Sequence, residues 1–330
     1  MLFPKSLLEQ LDIADWGYTE EISPRSYSRY EEWVEKEHSK PLSYLEDHRM
    51  QARQSLTSVI PDAQSALVFL FNYHPQKIQL ENTLRKLKTP LKMASYLFGF
   101  NGRDYHDEVK ERLDLLGRTL SKERSGLTYR VCLDIHPILE RDLAYRSGLG
   151  WFGKNSMLIS RKIGSFTIVG SLVLNQRLEE ETERTFDTDH CGQCRACVDA
   201  CPTDAILEEE RQIIASRCIS TFTIEMFKES AQAPSGMDQA DGEVFGCDIC
   251  QDVCPWNSRA ERAGVSLVDE EGFKSKNKLI LETFLSRPVE EVVSELEQLS
   301  NGAYKRKFLG TPLERTGRLG MLKNLRFWLR

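Results

Sequence analysis

The stretch from Cys191 to Pro202, Cys-Gly-Gln-Cys-Arg-Ala-Cys-Val-Asp-Ala-Cys-Pro, constrains this chain more than any other. Its spacing is C-x2-C-x2-C-x3-C-P, which wraps three thiolates around one 4Fe–4S cube and sends the fourth to a second cube. One such run is incomplete by itself. A second run, Cys247-Asp-Ile-Cys250-Gln-Asp-Val-Cys254-Pro255, repeats the last three cysteines and the proline. Val244 stands where its first cysteine belongs, and the isolated Cys218 upstream supplies the missing ligand. The spacing assigns Cys191, Cys194, Cys197 and Cys254 to one cluster and Cys201, Cys218, Cys247 and Cys250 to the other. Eight of the nine cysteines are used. Structural zinc would favour paired C-x2-C knuckles without a crossed fourth ligand. Disulfides would need an oxidising compartment, and no secretory segment opens the sequence.

Two clusters in one module conduct single electrons, so the chain either carries electrons or spends them on a reaction. Its 330 residues suggest about two domains, each able to bury a core. A carrier has no need of so much chain outside the cysteine runs, which points to an enzyme. No apolar run approaches the ~20 residues that cross a bilayer, and the opening Met-Leu-Phe-Pro-Lys lacks a signal peptide's apolar core. With reduced cysteines, these features predict a cytoplasmic protein with no membrane partner. The formal charge is −6, from 44 basic and 50 acidic residues, which argues against nucleic acid. The distribution argues otherwise. Arg85, Lys86, Lys88 and Lys92 come without an acid among them, and Lys305, Arg306, Lys307, Arg315, Arg318, Lys323, Arg326 and Arg330 face only Glu314. Such local clusters can bind phosphates on an acidic protein, or can be an ordinary solvated surface.

Along the chain, residues 1 to 60 read as mostly helical, anchored by Trp16, Tyr27, Tyr30, Trp33, Tyr44 and Leu45. Ala66 to Tyr73 has strand length and turn signals at both ends. Asp104 to Glu123 carries a helical stripe of Val109, Leu113, Leu116 and Leu120. Tyr129 to Asp134 reads as a strand, Ile138 to Arg146 as a short helix closed by Gly148 and Gly150, and Ser165 to Leu174 as a third strand. Strands alternating with helices predict an α/β or α+β domain. The acidic stretch from Glu179 to Asp189 reads as a linker, Ser230 to Gly242 as a loop, and helices resume at Leu279 to Leu285 and Val289 to Leu299.

A second segment, Cys132-Leu-Asp134-Ile-His136-Pro137-Ile-Leu139-Glu140-Arg141-Asp142, brings Asp134 to the end of a strand. Strand ends facing loops are where such folds place reactive groups. An Asp among apolar neighbours can hold a raised pKa and give up a proton. It can equally cap the helix that follows Pro137, and spacing alone favours the cap. Gly148-Leu-Gly150-Trp-Phe-Gly153 follows the G-x-G-x-x-G order, but it succeeds a charged helix and not a strand, so the dinucleotide fingerprint lacks its context. Cys132 reads as a small buried residue.

Taken together, Gly102-Arg-Asp104-Tyr105-His106, Asp134-x-x-Pro137-x-Leu139-Glu140-Arg141, the Gly148 to Lys154-Asn155 run and the crossed cysteine runs resemble the epoxyqueuosine reductase family. The resemblance covers most of the chain. It implies an α+β fold: a nitroreductase-like, cobalamin-binding catalytic domain over 1–180, a ferredoxin-like module with two 4Fe–4S clusters over 181–260, and a helical basic segment over 261–330. It implies reduction of epoxyqueuosine to queuosine at the wobble position of tRNA, with electrons passing from the clusters to cobalamin. Asp134 would be the proton donor, and Arg141, Lys154 and Asn155 would line the cofactor or substrate pocket. The expected partners are a tRNA anticodon stem-loop and a reduced donor such as a flavodoxin or ferredoxin.

Two departures qualify the resemblance. Asp134-Ile-His136 only mimics the corrinoid signature D-x-H-x-x-G, because Leu139 stands where glycine should, so His136 is a poor axial ligand. Longer relatives end in helical repeats, and Gly317 to Leu329 reads as the opening of one, as in a short form or a shortened chain. The alternatives are a ferredoxin-like electron carrier whose large domain docks a partner, and a corrinoid reductase of a small molecule such as an organohalide.

Overall fold

A computed structural model describes residues 2–178, 188–262 and 268–329; most of the expected acidic linker and Arg330 lie outside these. The chain divides into two compact units. The first comprises Met1–Asn72, Tyr105–Cys194 and Glu209–Gln212, and the second Tyr73–Asp104, Arg195–Glu208 and Ile213–Arg330.

The first unit is built on a four-stranded sheet of β1 (Asp15–Thr19), β2 (Ser65–Asn72), β3 (Tyr129–Cys132) and β4 (Thr167–Leu174). The spatial order is β1-β2-β4-β3 and every pairing is antiparallel. The long strands β2 and β4 are central and almost wholly buried, which explains why their sequences are continuous apolar runs. The Tyr105–Glu123 helix lays Val109, Leu113, Leu116 and Leu120, all at most 1% exposed, against the sheet. Each such burial stabilises the fold by about 1.5–3 kcal/mol. It comes close at Gly170, where a Cβ would lie 2.7 Å from Leu113 and 2.9 Å from Val109. Leu143 and Ala144 of the Glu140–Arg146 helix share the other core layer with Val68, Leu70, Cys132, Val169 and Val173.

The first sixty residues depart from the mostly helical expectation. Asp15–Thr19 forms an edge strand on β2, and its Trp16, Tyr18 and Thr19 are the β-favouring types. A five-residue strand between short helices carries too few alternations to betray its period. The other three strands, the long helix and the short helix stand where the sequence put them, to within a few residues.

The second unit packs Phe245, Phe273, Phe284, Leu296, Tyr304, Phe308, Leu322 and Leu325 into one core. The Val289–Gln298, Asn301–Lys307 and Leu313–Phe327 helices surround it. The Glu243–Phe245 strand pairs parallel with Lys92–Met93. Gly242, at φ 81°, permits that approach, since a Cβ there would sit 1.9 Å from the Pro90 carbonyl oxygen. Among the described residues, no helix is long and apolar enough to cross a membrane.

Candidate functional site

Asp134 follows β3 in a turn that leads to the Glu140–Arg146 helix. The N-cap of that helix is Leu139, not Asp134, so the capping role is excluded by five positions. The carboxylate is held instead from the start of the Tyr105–Glu123 helix. Tyr105 donates its hydroxyl to Oδ2 at 2.5 Å, and His106 Nε2 lies 2.9 Å from Oδ1. The Tyr105 and His106 rings stack with centroids 4.0 Å apart, which fixes both side chains against the carboxylate. Each carboxylate oxygen thus has its own partner, yet the side chain keeps 40% of its surface exposed. Beside it Ile135 is 62% exposed, an apolar residue left open next to an acid.

Glu140 completes the group. Burial pushes its carboxyl well above the usual carboxylate range, and the negative charge of Asp134 pushes it further, against the pull of Arg141 and His106. His136 takes no part in it. The Leu133 amide donates to His136 Nδ1 at 3.2 Å, and burial lowers the ring's pKa, so the imidazole is a neutral acceptor turned to its own backbone.

The residues expected to line the pocket are engaged by the chain itself. Arg141 donates to the carbonyl oxygen of Ser156 and to its hydroxyl. Lys154, 8% exposed, donates to the Gly192 carbonyl at 2.8 Å. Asn155, 1% exposed, accepts from the Met157 amide. All three brace the loop that follows Trp151–Phe152. The glycine run serves the same purpose. A Cβ on Gly150 would meet the Ile159 carbonyl oxygen at 2.2 Å, so this glycine lets the hairpin of Trp151–Phe152 with Leu158–Ile159 close.

In the second unit, the thiols of Cys201, Cys218, Cys247 and Cys250 share an electrostatic environment. Burial raises the pKa of Cys250, and the charges of Cys218, Cys197 and Cys201 raise it further. Burial likewise raises Cys247, with contributions from Cys250 and Cys218, and Cys218 with one from Cys201. Backbone N–H groups aim at these sulfurs: Ala205 at Cys201 (3.4 Å), Ser220 and Thr221 at Cys218, and Ile249 at Cys247. Buried thiols with amide donors fit thiolate ligands of a cluster, whose charge those donors stabilise. The spacing expects these four as the second set, and Cys197 of the first set acts on Cys250 as well. Of the first set, Cys191 and Cys194 belong to the first unit and Cys197 and Cys254 to the second.

The basic runs are less bare than the sequence suggests. Lys305 pairs with Glu314, Lys307 with Glu295, Arg315 with Glu225, and Arg326 with Glu229 and Glu297. Lys86 meets Glu270, Lys92 Asp241 and Arg85 Glu81. Lys323 is buried and donates to the carbonyls of Phe222 and Met226. Among the described residues, Arg306 and Lys88 are exposed and have no acid partner.

Sequence reasoning gave no role to Tyr105, His106 or Glu140. The available signal was a Tyr-His pair opening a helix, which gains meaning only once β3 delivers Asp134 opposite it.

The chain matches a 4Fe-4S double cluster binding domain over residues 190–257 and the model described as epoxyqueuosine reductase QueG, DUF1730, over residues 53–135. The epoxyqueuosine reductase of Leadbetterella byssophila is 34% identical over 315 residues, 96% of this chain and 92% of that one. The solved epoxyqueuosine reductase of Streptococcus thermophilus has the same fold, with a TM-score of 0.74 at 21% identity over 97% of this chain and 78% of that one. An epoxyqueuosine reductase solved with an epoxyqueuosine-modified tRNA-Tyr stem loop gives a TM-score of 0.70 at 23% identity, over 97% of this chain and 79% of that one. These likenesses leave no place for a simple electron carrier. The relative aligned along almost its full length and the double-cluster domain make the chain an oxidoreductase that belongs to the epoxyqueuosine reductase family.

Proposed function

We propose that this protein reduces epoxyqueuosine to queuosine at the wobble position of tRNA, with Asp134 as the proton donor. The observation that carries the role of Asp134 is its geometry: a carboxylate gripped by Tyr105 and His106 but half open, at a strand end, with no helix to cap. The reaction breaks both C–O bonds of the oxirane and forms a C=C bond. Its oxygen leaves as water, at the cost of two electrons and two protons. Asp134 gives a proton to the departing oxygen, and the Tyr105 and His106 contacts hold it in line for that transfer. Glu140, whose carboxyl is pushed up by burial and by the charge of Asp134, lies within electrostatic reach of Asp134 and would share the second proton with it.

The two 4Fe–4S clusters hold single electrons, and the family's cobalamin supplies, when bound, a metal centre from which both reach the substrate. The half-open face of Asp134 and exposed Ile135 fits a large, partly apolar group of this kind. Arg141, Lys154 and Asn155 would hold the loop along its edge. The relative solved with a modified tRNA stem loop supports a tRNA anticodon loop as the substrate here, presented with its wobble nucleotide splayed out. A small one-electron donor, a flavodoxin or ferredoxin, would recharge the clusters in the cytoplasm.

The test is to purify the protein anaerobically, record its visible spectrum before and after adding cobalamin, and then supply reductant and an epoxyqueuosine-bearing stem loop. Broad cluster absorption, a shifted corrinoid band and loss of one oxygen mass from the RNA are expected. Absence of corrinoid uptake overturns the reading.

A further inference from the structure

We propose that Lys77 is a positioning residue for the second cluster: its buried ammonium clamps the turn that bears Cys247 and Cys250 and sets that cluster's reduction potential. The inference rests on the ligand set Cys201, Cys218, Cys247 and Cys250.

Lys77 lies in the first turn of the His74–Leu87 helix and is 8% exposed. Its Nζ is 2.7 Å from Asp252 Oδ1, 3.5 Å from Asp248 Oδ2 and 3.4 Å from Glu81 Oε1. Asp248 is itself buried and accepts the Ser95 amide at 2.8 Å. Asp248 and Asp252 stand on either side of Cys250, so a single cation ties both ends of the short helix Ile249–Asp252 to a neighbouring helix. Burial alone would strip a lysine of its proton. Here Asp248 and Asp252 outweigh that tendency and hold the ammonium charged.

That fixed charge acts on the thiolates through its surroundings. Asp248 directly follows Cys247, and Asp252 lies two residues from Cys250, so the carboxylates that Lys77 holds stand beside the ligands themselves. Reducing a cluster adds one negative charge. A nearby cation favours the reduced form and raises the potential, whereas a bare carboxylate lowers it. Outer-shell partners of metal ligands commonly act in this way. A residue that served folding alone would have no reason to move a potential in a direction set by its charge.

The experiment is a redox titration followed by electron paramagnetic resonance, on wild type, Lys77→Gln and Asp248→Asn, with iron content measured on each. Cys218→Ala first identifies which signal belongs to the second cluster. A wild type that loads fewer than two clusters sinks the ligand set, and the proposal with it, before any Lys77 variant is read. With both clusters present, Lys77→Gln should lower the midpoint of the second cluster and Asp248→Asn should raise it, the first cluster moving less in each case. An iron-loaded Lys77→Gln protein with an unshifted potential overturns the proposal, and so do shifts of the same sign in the two variants. If Lys77→Gln holds no iron, Asp248→Asn decides: a raised midpoint supports the clamp and an unchanged one rejects it.

Discussion

Asp134 and Lys77 are each the centre of a small charged group, and the two groups differ in a way that separates chemistry from scaffolding. Around Asp134 the carboxylate is 40% exposed and its partners, a tyrosine and a histidine, can pass protons. Around Lys77 the centre is sealed and the rim is not: Lys77, Asp248 and Glu243 are buried, Asp252 and Glu81 reach solvent, and the shared partner is a cation held charged by its carboxylates. Both groups contain a glutamate with a raised pKa. Glu140 is raised by burial and then by Asp134, and Glu243 is raised by burial and then by Asp248, to about 8. A perturbed glutamate therefore does not mark a reaction site. What sets Asp134 apart is a pair of neighbours able to share a proton.

The largest effect expected is on the sealed side. Replacing a cluster ligand removes a bond no neighbour can supply. Cys254→Ala should lose the cluster otherwise held by Cys191, Cys194 and Cys197, whereas Cys218→Ala should lose the one held by Cys201, Cys247 and Cys250. Each variant should retain about half the iron, with different residual spectra. If both lost the same cluster, the crossed assignment would be wrong, and the Lys77 group would have to be reassigned with it.

Next in size is the open side. Asp134→Asn keeps the volume and the hydrogen-bond acceptor for Tyr105, so the protein should fold and load both cofactors. Turnover of epoxyqueuosine RNA should fall on the order of 10²–10⁴-fold, the usual contribution of a positioned general acid. Single-turnover kinetics with prereduced protein would isolate this step from electron delivery. Near-normal turnover would strip Asp134 of its role and erase the contrast between the two groups.

How far the sequence reveals these groups depends on how local their causes are. The cysteine runs were legible because cluster ligation imposes fixed spacings, and the helix stripe at Val109 to Leu120 was legible because burial imposes a period. The Asp134 grouping was only half legible. Asp134 stood out at a strand end, but its partners Tyr105 and His106 lie 28 and more positions away and meet it only through the packing of a helix on Gly170. Lys77 was invisible. It is one lysine in a helix of mixed polarity, and only the fold shows that it is buried among carboxylates. The edge strand at Asp15–Thr19 escaped for want of length. The basic runs misled in the other direction, since their acid partners come from distant segments such as Glu225, Glu229 and Glu270.

That pairing sets the smallest effect. If every lysine and arginine of the C-terminal helices were free, reversing several would abolish RNA binding. Most are already neutralised by carboxylates within 4 Å, and an exposed pair of this kind contributes little and exchanges readily with phosphate. Arg306, exposed and without an acid partner among the described residues, is the cation there with most to give. Arg306→Glu should weaken binding of the stem loop by roughly 3- to 10-fold at low salt and reduce the slope of log affinity against log salt by about one, the signature of one lost phosphate contact. Chemical reduction of the clusters should be unchanged, because no electron passes through this side chain. The measurement is stem-loop affinity across a salt series for both proteins. A flat salt dependence in the wild type would remove the phosphate grip altogether, and an unaltered slope in Arg306→Glu would place that grip elsewhere in the molecule.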